Sequence, residues 1–483
     1  MGLRVLICSS EAVPFAKTGG LADVAGALPK ALAAMGHDVR VALPRYSSID
    51  AKKFALQRIA GPLAVPMGDA AVQVSVDASD AIPGASSYLI DSPKHFGRKA
   101  LYGEPDDGER FALFSRAVLE FLRQSEWKPE VIHCNDWQTG LIPVYLKTSY
   151  KGDRALSDIA TLYTVHNLAY QGVFAPETLS AIGIDRSLLT PDRLEFYGQV
   201  SFMKGGLVFA DVLSTVSETY SREIQTGEFG ERLEGVLARR SDDLFGVLNG
   251  IDYDEWDPET DQLLPARYTA ADLKGKAANK AALQRRMGLP ERADVPMFGL
   301  VSRLAGQKGL DILSDVLPHL FQLDVQFALL GTGEQHYHDL LSDFAKRYPD
   351  TLGFVLGFDN PLAHLIYAGS DLFLMPSRYE PCGLGQMISL RYSTIPIVRH
   401  TGGLADTITD YDPQAGAGNG FSFKEHTPVA LCGAIARALL TMKTPPAWQR
   451  LVQNAAAADF SWGRSARCYV QLYQRATERR RSR

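Results

Sequence analysis

The chain has 483 residues, 46% of them hydrophobic, and carries 50 basic against 55 acidic side chains for a net charge of −5. A single core stops growing at about 250–300 residues, so this much apolar content predicts two domains. The nearly balanced charge excludes the electrostatic footprint of a nucleic-acid or anionic-membrane binder and leaves specific anion sites as the polar chemistry to look for.

In chain order, short Val/Ile/Leu-rich runs alternate with segments of helical period, the pattern of parallel sheets covered by helices on both faces. Strands are predicted over residues 3–7, 38–43, 131–133, 160–165 and 212–216 in the first half. The second half offers 297–301, 325–330, 352–356, 372–375 and 395–398. The fold class is therefore α/β, with two Rossmann-like, doubly wound domains. Residues 252–264 are acidic, contain Pro258 and keep no clean period, so they are expected to join domains spanning 1–251 and 252–460. Helical patterns close the chain from Pro428, break at Ser461-Trp462 and resume over 464–479. The final Arg479, Arg480, Arg481, Ser482 and Arg483 are expected to end a helix in solvent.

The five cysteines are scattered and form no Cys-x-x-Cys pair, which suits a reducing cytoplasm. No apolar run reaches membrane-spanning length, and the strand-like start carries no signal-peptide pattern, so a soluble cytoplasmic protein is expected.

The hexapeptide Thr-Gly-Gly-Leu-Ala-Asp occurs at residues 18–23 and again at 401–406. Each copy follows a strand-like run and opens a helix-like one, offering glycine backbone and helix-start N–H groups to a phosphate or a sugar hydroxyl. Two copies suggest two similar halves facing one ligand. Doubly wound sheets bind ligands beyond the carboxyl ends of their strands, and the other polar clusters fall there as well. Lys17 directly precedes the first glycine turn and is placed to meet a diphosphate. Arg303 and Lys308 stand five positions apart on the glycine-containing loop of residues 302–309, where they could neutralise a departing phosphate. Glu380 precedes Pro381 and a helix start, so its carboxylate could grip sugar hydroxyls while the amides of Cys382, Gly383 and Leu384 face an anion.

These junctions resemble bacterial glycogen synthases and plant starch synthases across nearly the whole chain. The resemblance rests on the stretch from Ser10 to Val24, on His133-Cys134-Asn135-Asp136-Trp137-Gln138, and on Thr164-Val165-His166-Asn167-Leu168-Ala169-Tyr170-Gln171-Gly172. It continues through Asn249-Gly250-Ile251-Asp252, the 302–309 loop, residues 380–386 and the second hexapeptide. It implies a GT-B architecture, with two Rossmann-like domains facing across a cleft and residues 461–483 returning to the first. It implies glucose transfer from ADP-glucose to the 4-hydroxyl at the non-reducing end of an α-1,4-glucan (glycogen or starch), with retention and without a metal or other cofactor. The setting is cytoplasmic, or plastid stroma for a processed plant protein.

By the same resemblance Lys17, Gly19 and Gly20 would touch the donor's diphosphate and sugar, with Arg303 and Lys308 holding the phosphates. Asn167 and Asn249 would join the donor site. Glu380 would bind glucose hydroxyls, Asp136 and His166 would line the reacting centre, and Thr401, Gly402 and Gly403 would supply backbone donors. Trp137 and Tyr170 would support the glucan acceptor. The chain departs from the family where Asn135 replaces a frequent second His and where Gly385 replaces a usual Thr or Cys.

Nucleotide-sugar epimerisation or hydrolysis on the same fold, or a non-catalytic glucan-binding role, are the alternative readings. The choice of ADP-glucose over UDP-glucose rests on the resemblance alone. Asp252-Tyr253-Asp254 and Asp410-Tyr411-Asp412 match a short metal-binding pattern that arises easily in loops, and His336-Tyr337-His338 reads as surface helix.

Overall fold

The computed structural model describes residues 2–482 and divides into two compact units. Unit 1 comprises Met1–Gly250 together with Trp462–Arg483, and unit 2 comprises Ile251–Ser461.

Unit 1 contains β1 (Arg4–Cys8), β2 (Asp38–Pro44), β3 (Gln57–Met67), β4 (Ala70–Ile82), β5 (Ala85–Asp91) and β6 (Val131–Asn135). It continues with β7 (Ala160–Val165), β8 (Val173–Phe174), β9 (Glu195–Phe196), β10 (Gln199–Ser201), β11 (Val212–Thr215) and β12 (Leu244–Gly246). The main sheet runs β12-β11-β7-β6-β1-β2-β5-β4-β3, and β8-β10-β9 forms a small sheet of its own. From β12 to β5 all pairs are parallel; β4 and β3 are added antiparallel at one edge. Every residue of β6 and β7 is buried, as expected for central parallel strands covered on both faces.

The last helix, Trp462–Arg481, buries Trp462, Ala466, Tyr469, Tyr473 and Ala476 at helical spacing in the same core. Its basic end is the expected solvated tail at Arg481 and Ser482, which are exposed, and departs from it at Arg479 and Arg480, which are half-buried. Arg479 pairs with Asp243, just before β12, and Arg480 Nε donates to the Ser157 carbonyl, just before β7, at 2.8 Å.

Unit 2 contains β13 (Met297–Leu304), β14 (Gln326–Gly333), β15 (Leu352–Leu356), β16 (Leu372–Met375), β17 (Ile395–Arg399) and β18 (Phe421–Phe423). They form one sheet in the order β15-β14-β13-β16-β17-β18, parallel throughout, around a second hydrophobic core. All ten predicted strands form, several running further at the carboxyl end, toward the loops that carry the motifs.

The acidic joining segment is fixed to unit 2. The Asp261 carboxylate accepts from Tyr392 at 2.6 Å and lies 2.7 Å from His364 Nδ1, while Trp256 stacks on the His364 ring at 4.0 Å.

In the parallel part of each main sheet the strand order reverses direction at one place, between β1 and β6 in unit 1 and between β13 and β16 in unit 2. Loops leaving the two strands at such a point diverge and leave a crevice at their carboxyl ends. The two hexapeptides do not occupy equivalent places in this scheme. The first follows β1, at the reversal, whereas the second follows β17, whose counterpart by topology is β7, the strand before His166.

Candidate active site

At the unit 1 reversal, the loop after β1 carries Glu11, Lys17 and the glycine turn. Glu11 is buried, and its Oε2 accepts from Thr18 N at 2.5 Å and from Thr18 Oγ1 at 2.7 Å. The Gly19 amide also bonds to it. Burial raises the Glu11 pKa, and these hydrogen bonds oppose the rise. The first hexapeptide's leading N–H groups are thus directed inward to a carboxylate rather than outward to a ligand. Sequence reasoning passed over Glu11, although a carboxyl in an otherwise apolar and hydroxyl-bearing stretch after β1 was its signal. Lys17 Nζ lies 2.6 Å from Asp23 Oδ1, and Gly20 opens the helix Gly20–Ala34.

Across the reversal, Asp136 follows β6 directly, with φ 55° and ψ −178°. Backbone of this kind is strained for a residue with a Cβ, and here it is clamped from three sides. Asp136 N donates to Thr164 O at 2.9 Å, its Oδ1 accepts from His166 N at 2.7 Å, and the Asn167 amide bonds to the same carboxylate. Dense surrounding protein raises its pKa from 3.8 to about 7, the hydrogen bonds pulling the other way. The residue still keeps part of its surface open.

Burial lowers the His166 pKa to about 3, so its imidazole is neutral. Its tautomer follows from Asn135, whose Nδ2 donates to Cys8 O at 3.0 Å and to His133 O at 3.3 Å. That leaves Asn135 Oδ1 facing His166 Nε2 at 2.9 Å, so Nε2 bears the hydrogen and Nδ1 the lone pair. Asn135, a departure from the family pattern, therefore orients the histidine.

A second chain lies beneath it. His133 Nδ1 meets Tyr473 OH at 2.9 Å and His133 Nε2 meets Thr164 Oγ1 at 2.7 Å, which ties the last helix to the residue whose carbonyl holds Asp136.

Trp137 is less available than expected of an acceptor platform. It is 9% exposed, and its ring packs against Phe111, Phe174 and Phe202. A Cβ on Gly172 would come within 2.3 Å of that ring, so the tight contact requires glycine there. Tyr170, by contrast, is 52% exposed. Asn249 is buried, and its Oδ1 has no hydrogen-bond partner among the described residues.

At the unit 2 reversal, the loops after β13 and β16 are stapled together. Lys308 Nζ lies 2.7 and 2.9 Å from the two oxygens of Glu380, and Ser377 Oγ adds a bond of 3.0 Å. Arg378 N donates to Gln307 O at 2.8 Å. Glu380, expected to hold sugar hydroxyls, thus has both oxygens engaged, because a buried carboxylate needs a counter-charge. Arg303 stands on β13 with its Nη2 3.5 Å from Gln307 Oε1.

The second hexapeptide differs from expectation in one respect. Gly403 N donates to Glu380 O at 3.0 Å, and a Cβ on Gly402 or Gly403 would strike a carbonyl of the Glu380–Cys382 segment at 2.0 Å. These glycines permit backbone-to-backbone packing, and the Gly403 N–H is consumed by it. Gly383 has φ +71°, and Gln386 Nε2 holds the Cys382 and Gly383 carbonyls at 3.0 and 2.9 Å, which sets the loop that presents Leu384. Phe358, just beyond β15, is 83% exposed and was not singled out from the sequence.

Residues 4–239 match the starch synthase catalytic domain and residues 285–457 match glycosyl transferases group 1. A glycogen synthase of Moorella thermoacetica is 51% identical over 99% of this chain and 98% of its own length. The chain belongs to the glycogen and starch synthase family. It is a glycosyltransferase of the GT-B class. A glycogen synthase of Thermotoga maritima is 47% identical over 98% of this chain and 99% of that one. Among solved structures, the catalytic domain of starch synthase IV from Arabidopsis thaliana, bound to ADP and acarbose, is 36% identical with a TM-score of 0.93, covering 99% of this chain and 100% of that one. Sucrose-phosphate synthase from Thermosynechococcus elongatus covers 98% of each chain at 19% identity and a TM-score of 0.60, and shares the fold.

Among the described residues no helix is long and apolar enough to cross a membrane, and no cluster of three or more metal-ligating side chains occurs. Asp410 is instead paired with Arg437, and Asp252 accepts from Asp254 N.

Proposed function

We propose that the protein transfers glucose from ADP-glucose to the 4-hydroxyl at the non-reducing end of an α-1,4-glucan, retaining the anomeric configuration and using no metal. The observation that carries this reading is the Lys308–Glu380 pair at the unit 2 reversal, beside Arg303, where a doubly wound sheet binds its ligand. Lys308 and Arg303 take the diphosphate. Displacement of Lys308 toward phosphate frees Glu380 for the glucose hydroxyls.

Retention by double displacement would require a carboxylate nucleophile beneath the anomeric carbon. Asp136 is ill suited to that task, since its carboxylate is bound to two backbone amides and burial works against its ionised form. A front-face route fits better. The bond from the glucose C1 to the ADP oxygen breaks, the acceptor O4 bonds to C1 on the same face, and the acceptor's proton passes to the departing phosphate oxygen. The growing phosphate charge then falls to Arg303 and Lys308, and one well-aimed donor of this kind supplies about 3–4 kcal/mol.

Among the described residues the cysteines form no disulfide, which suits the cytoplasm as the working compartment.

The test offers labelled ADP-glucose and UDP-glucose separately with glycogen and counts polymer-bound glucose. Incorporation should come from ADP-glucose, and Arg303→Ala and Lys308→Ala should each lower kcat by roughly a hundredfold to a thousandfold with little change in donor affinity. Equal use of both donors would remove the assigned donor. Variants that only weaken donor binding would remove the assigned role of the two cations.

A further inference from the structure

Two helices that start on the ligand side of unit 2 end at one lysine. In a doubly wound sheet each helix sets out from the carboxyl edge, where ligands bind, and finishes at the amino edge. The helix Asn360–Gly369 follows β15, and the helix Gly385–Arg391 follows β16 and the Cys382-Gly383-Leu384 loop. Their far ends meet at Lys276, on the helix Lys274–Met287. Lys276 Nζ donates to Ala368 O at 3.1 Å, to Tyr392 O at 3.0 Å, and to Thr394 Oγ1, just before β17, at 2.6 Å.

Two of these acceptors are carbonyls that a helix end leaves over. The last carbonyls of a helix lack an intrahelical donor and carry the negative end of its dipole, so a cation seated between two such ends serves both. Gly369 permits the approach, since a Cβ there would lie 2.8 Å from Asn279 O. The other groups at this point are neutral: Tyr268 OH donates to Tyr392 O at 2.7 Å, and Thr394 Oγ1 passes its own hydrogen to Tyr367 O at 2.5 Å. An ammonium spends all three of its hydrogens here, whereas a neutral amine has only two to give.

Burial lowers the Lys276 pKa from 10.5 to about 7, with the charge of Asp371 opposing the fall and that of Lys280 adding to it. Asp371 and Lys280 are themselves paired at 2.7 Å, Arg391 is engaged by Asp257 at 2.6 Å, and the Tyr268 ring centre lies 5.8 Å from the ammonium. The change from three hydrogens to two therefore falls near neutral pH.

The helix Gly385–Arg391 is only about 10 Å long, and Met387 and Leu390 are fully buried, so it moves as a rod. A shift at Tyr392 is then a shift at Leu384. We infer that Lys276 is a positioning residue for the donor-side loop: its three bonds hold the rear of the helix whose front presents Cys382, Gly383 and Leu384. The inference rests on the donor side of the proposed function and adds a residue outside the site that governs it.

The test measures ADP and UDP binding by calorimetry at about pH 6 and about pH 8.5 in the wild type, in Lys276→Met, which removes the charge and keeps the length, and in Lys276→Arg, which keeps the charge. The adjoining cavity of about 210 Å³ leaves room for the larger head. Lys276→Met should bind ADP about tenfold more weakly than wild type at the lower pH and about equally at the higher, where the wild type has lost its own third hydrogen. Comparing the two proteins at each pH cancels the ionisation of ADP itself. Lys276→Arg should match the wild type at the lower pH and bind more tightly than it at the higher, and the acceptor KM for maltoheptaose should stay unchanged in both variants. Wild-type ADP affinity in Lys276→Met, with only its Tm lowered, would overturn the inference. So would a loss that is equal at the two pH values, which would trace it to packing rather than to the third hydrogen. Should Lys276→Met fail to fold, Lys276→Arg decides, and the wild-type pH dependence retained in it would overturn the inference. A wild type that binds UDP and not ADP would remove the assigned donor, while the same pH-dependent loss measured on UDP would leave the role of Lys276 standing. Binding of neither nucleotide would remove both.

Discussion

Asp136 joins a strained backbone to a carboxyl that the fold prefers protonated. A carboxyl whose pKa is raised on folding adds stability that is complete below its ordinary value of 3.8 and is lost as pH rises through about 7. Asp136→Asn, which keeps an acceptor for His166 N and cannot ionise, should escape that loss. The Tm of the variant relative to wild type should therefore climb between about pH 4 and about pH 8. A difference that stays constant across that range would show that Asp136 ionises as freely in the folded protein as in the unfolded one.

The same residue marks how far the site could be read from sequence. Lys17, Arg303, Lys308 and Glu380 were singled out because each stands in a polar cluster at a strand-to-helix junction, whereas Asp136 and His166 entered only through the family resemblance. The engagements of these residues were not legible. The pairing of Lys308 with Glu380 across 72 positions, the inward turn of the Thr18 amide to Glu11, and the Gly403 amide bound to the Glu380 carbonyl are tertiary facts that no local spacing encodes.

At the scale of elements, legibility followed burial. Central parallel strands such as β7 are apolar on both faces and show as continuous runs. The strand β3 did not, because Gly61, Pro62 and Pro66 punctuate it as a loop would be punctuated. As the edge strand it tolerates those prolines, and the register slips between Ala60 and Leu63 absorb the disturbance. The small β8-β10-β9 sheet was missed for a different reason: strands of two or three residues carry no measurable period.

Among helices, the last one reaches into the site through Tyr473, His133 and Thr164. Tyr473→Phe removes one hydroxyl from that chain. It should lower kcat several-fold with donor KM unchanged, while the loss of one hydrogen bond costs about 1 kcal/mol of stability. Steady-state kinetics beside calorimetry would separate these effects. An equal loss of stability with wild-type kcat would show that the hydroxyl only packs the helix down.

At the scale of the whole molecule, the chain leaves unit 1 at Gly250 and returns to it at Trp462. The two crossings run side by side, with Ile251 N donating to Phe460 O at 2.9 Å and Tyr253 OH meeting Phe460 N at the same distance. The returning helix buries Trp462, Tyr469, Leu472 and Tyr473. At about 1.5–3 kcal/mol for each large side chain, this contribution is on the order of 10 kcal/mol, comparable with the entire stability of a typical domain. Deletion of residues 462–483 should abolish the folding of unit 1 while unit 2 keeps its own core, visible in calorimetry as the loss of one of two transitions. A truncated protein with both transitions intact would contradict the packing assigned to that helix.

This arrangement also orders events at the ribosome. The first 250 residues of unit 1 emerge before unit 2, yet the helix that completes their core is translated only after the whole of unit 2. The amino-terminal half must wait through the synthesis of more than two hundred further residues with the seat of Tyr469 and Tyr473 uncovered. Nascent chains of this protein should therefore need chaperone cover over that apolar seat until the helix Trp462–Arg481 has emerged.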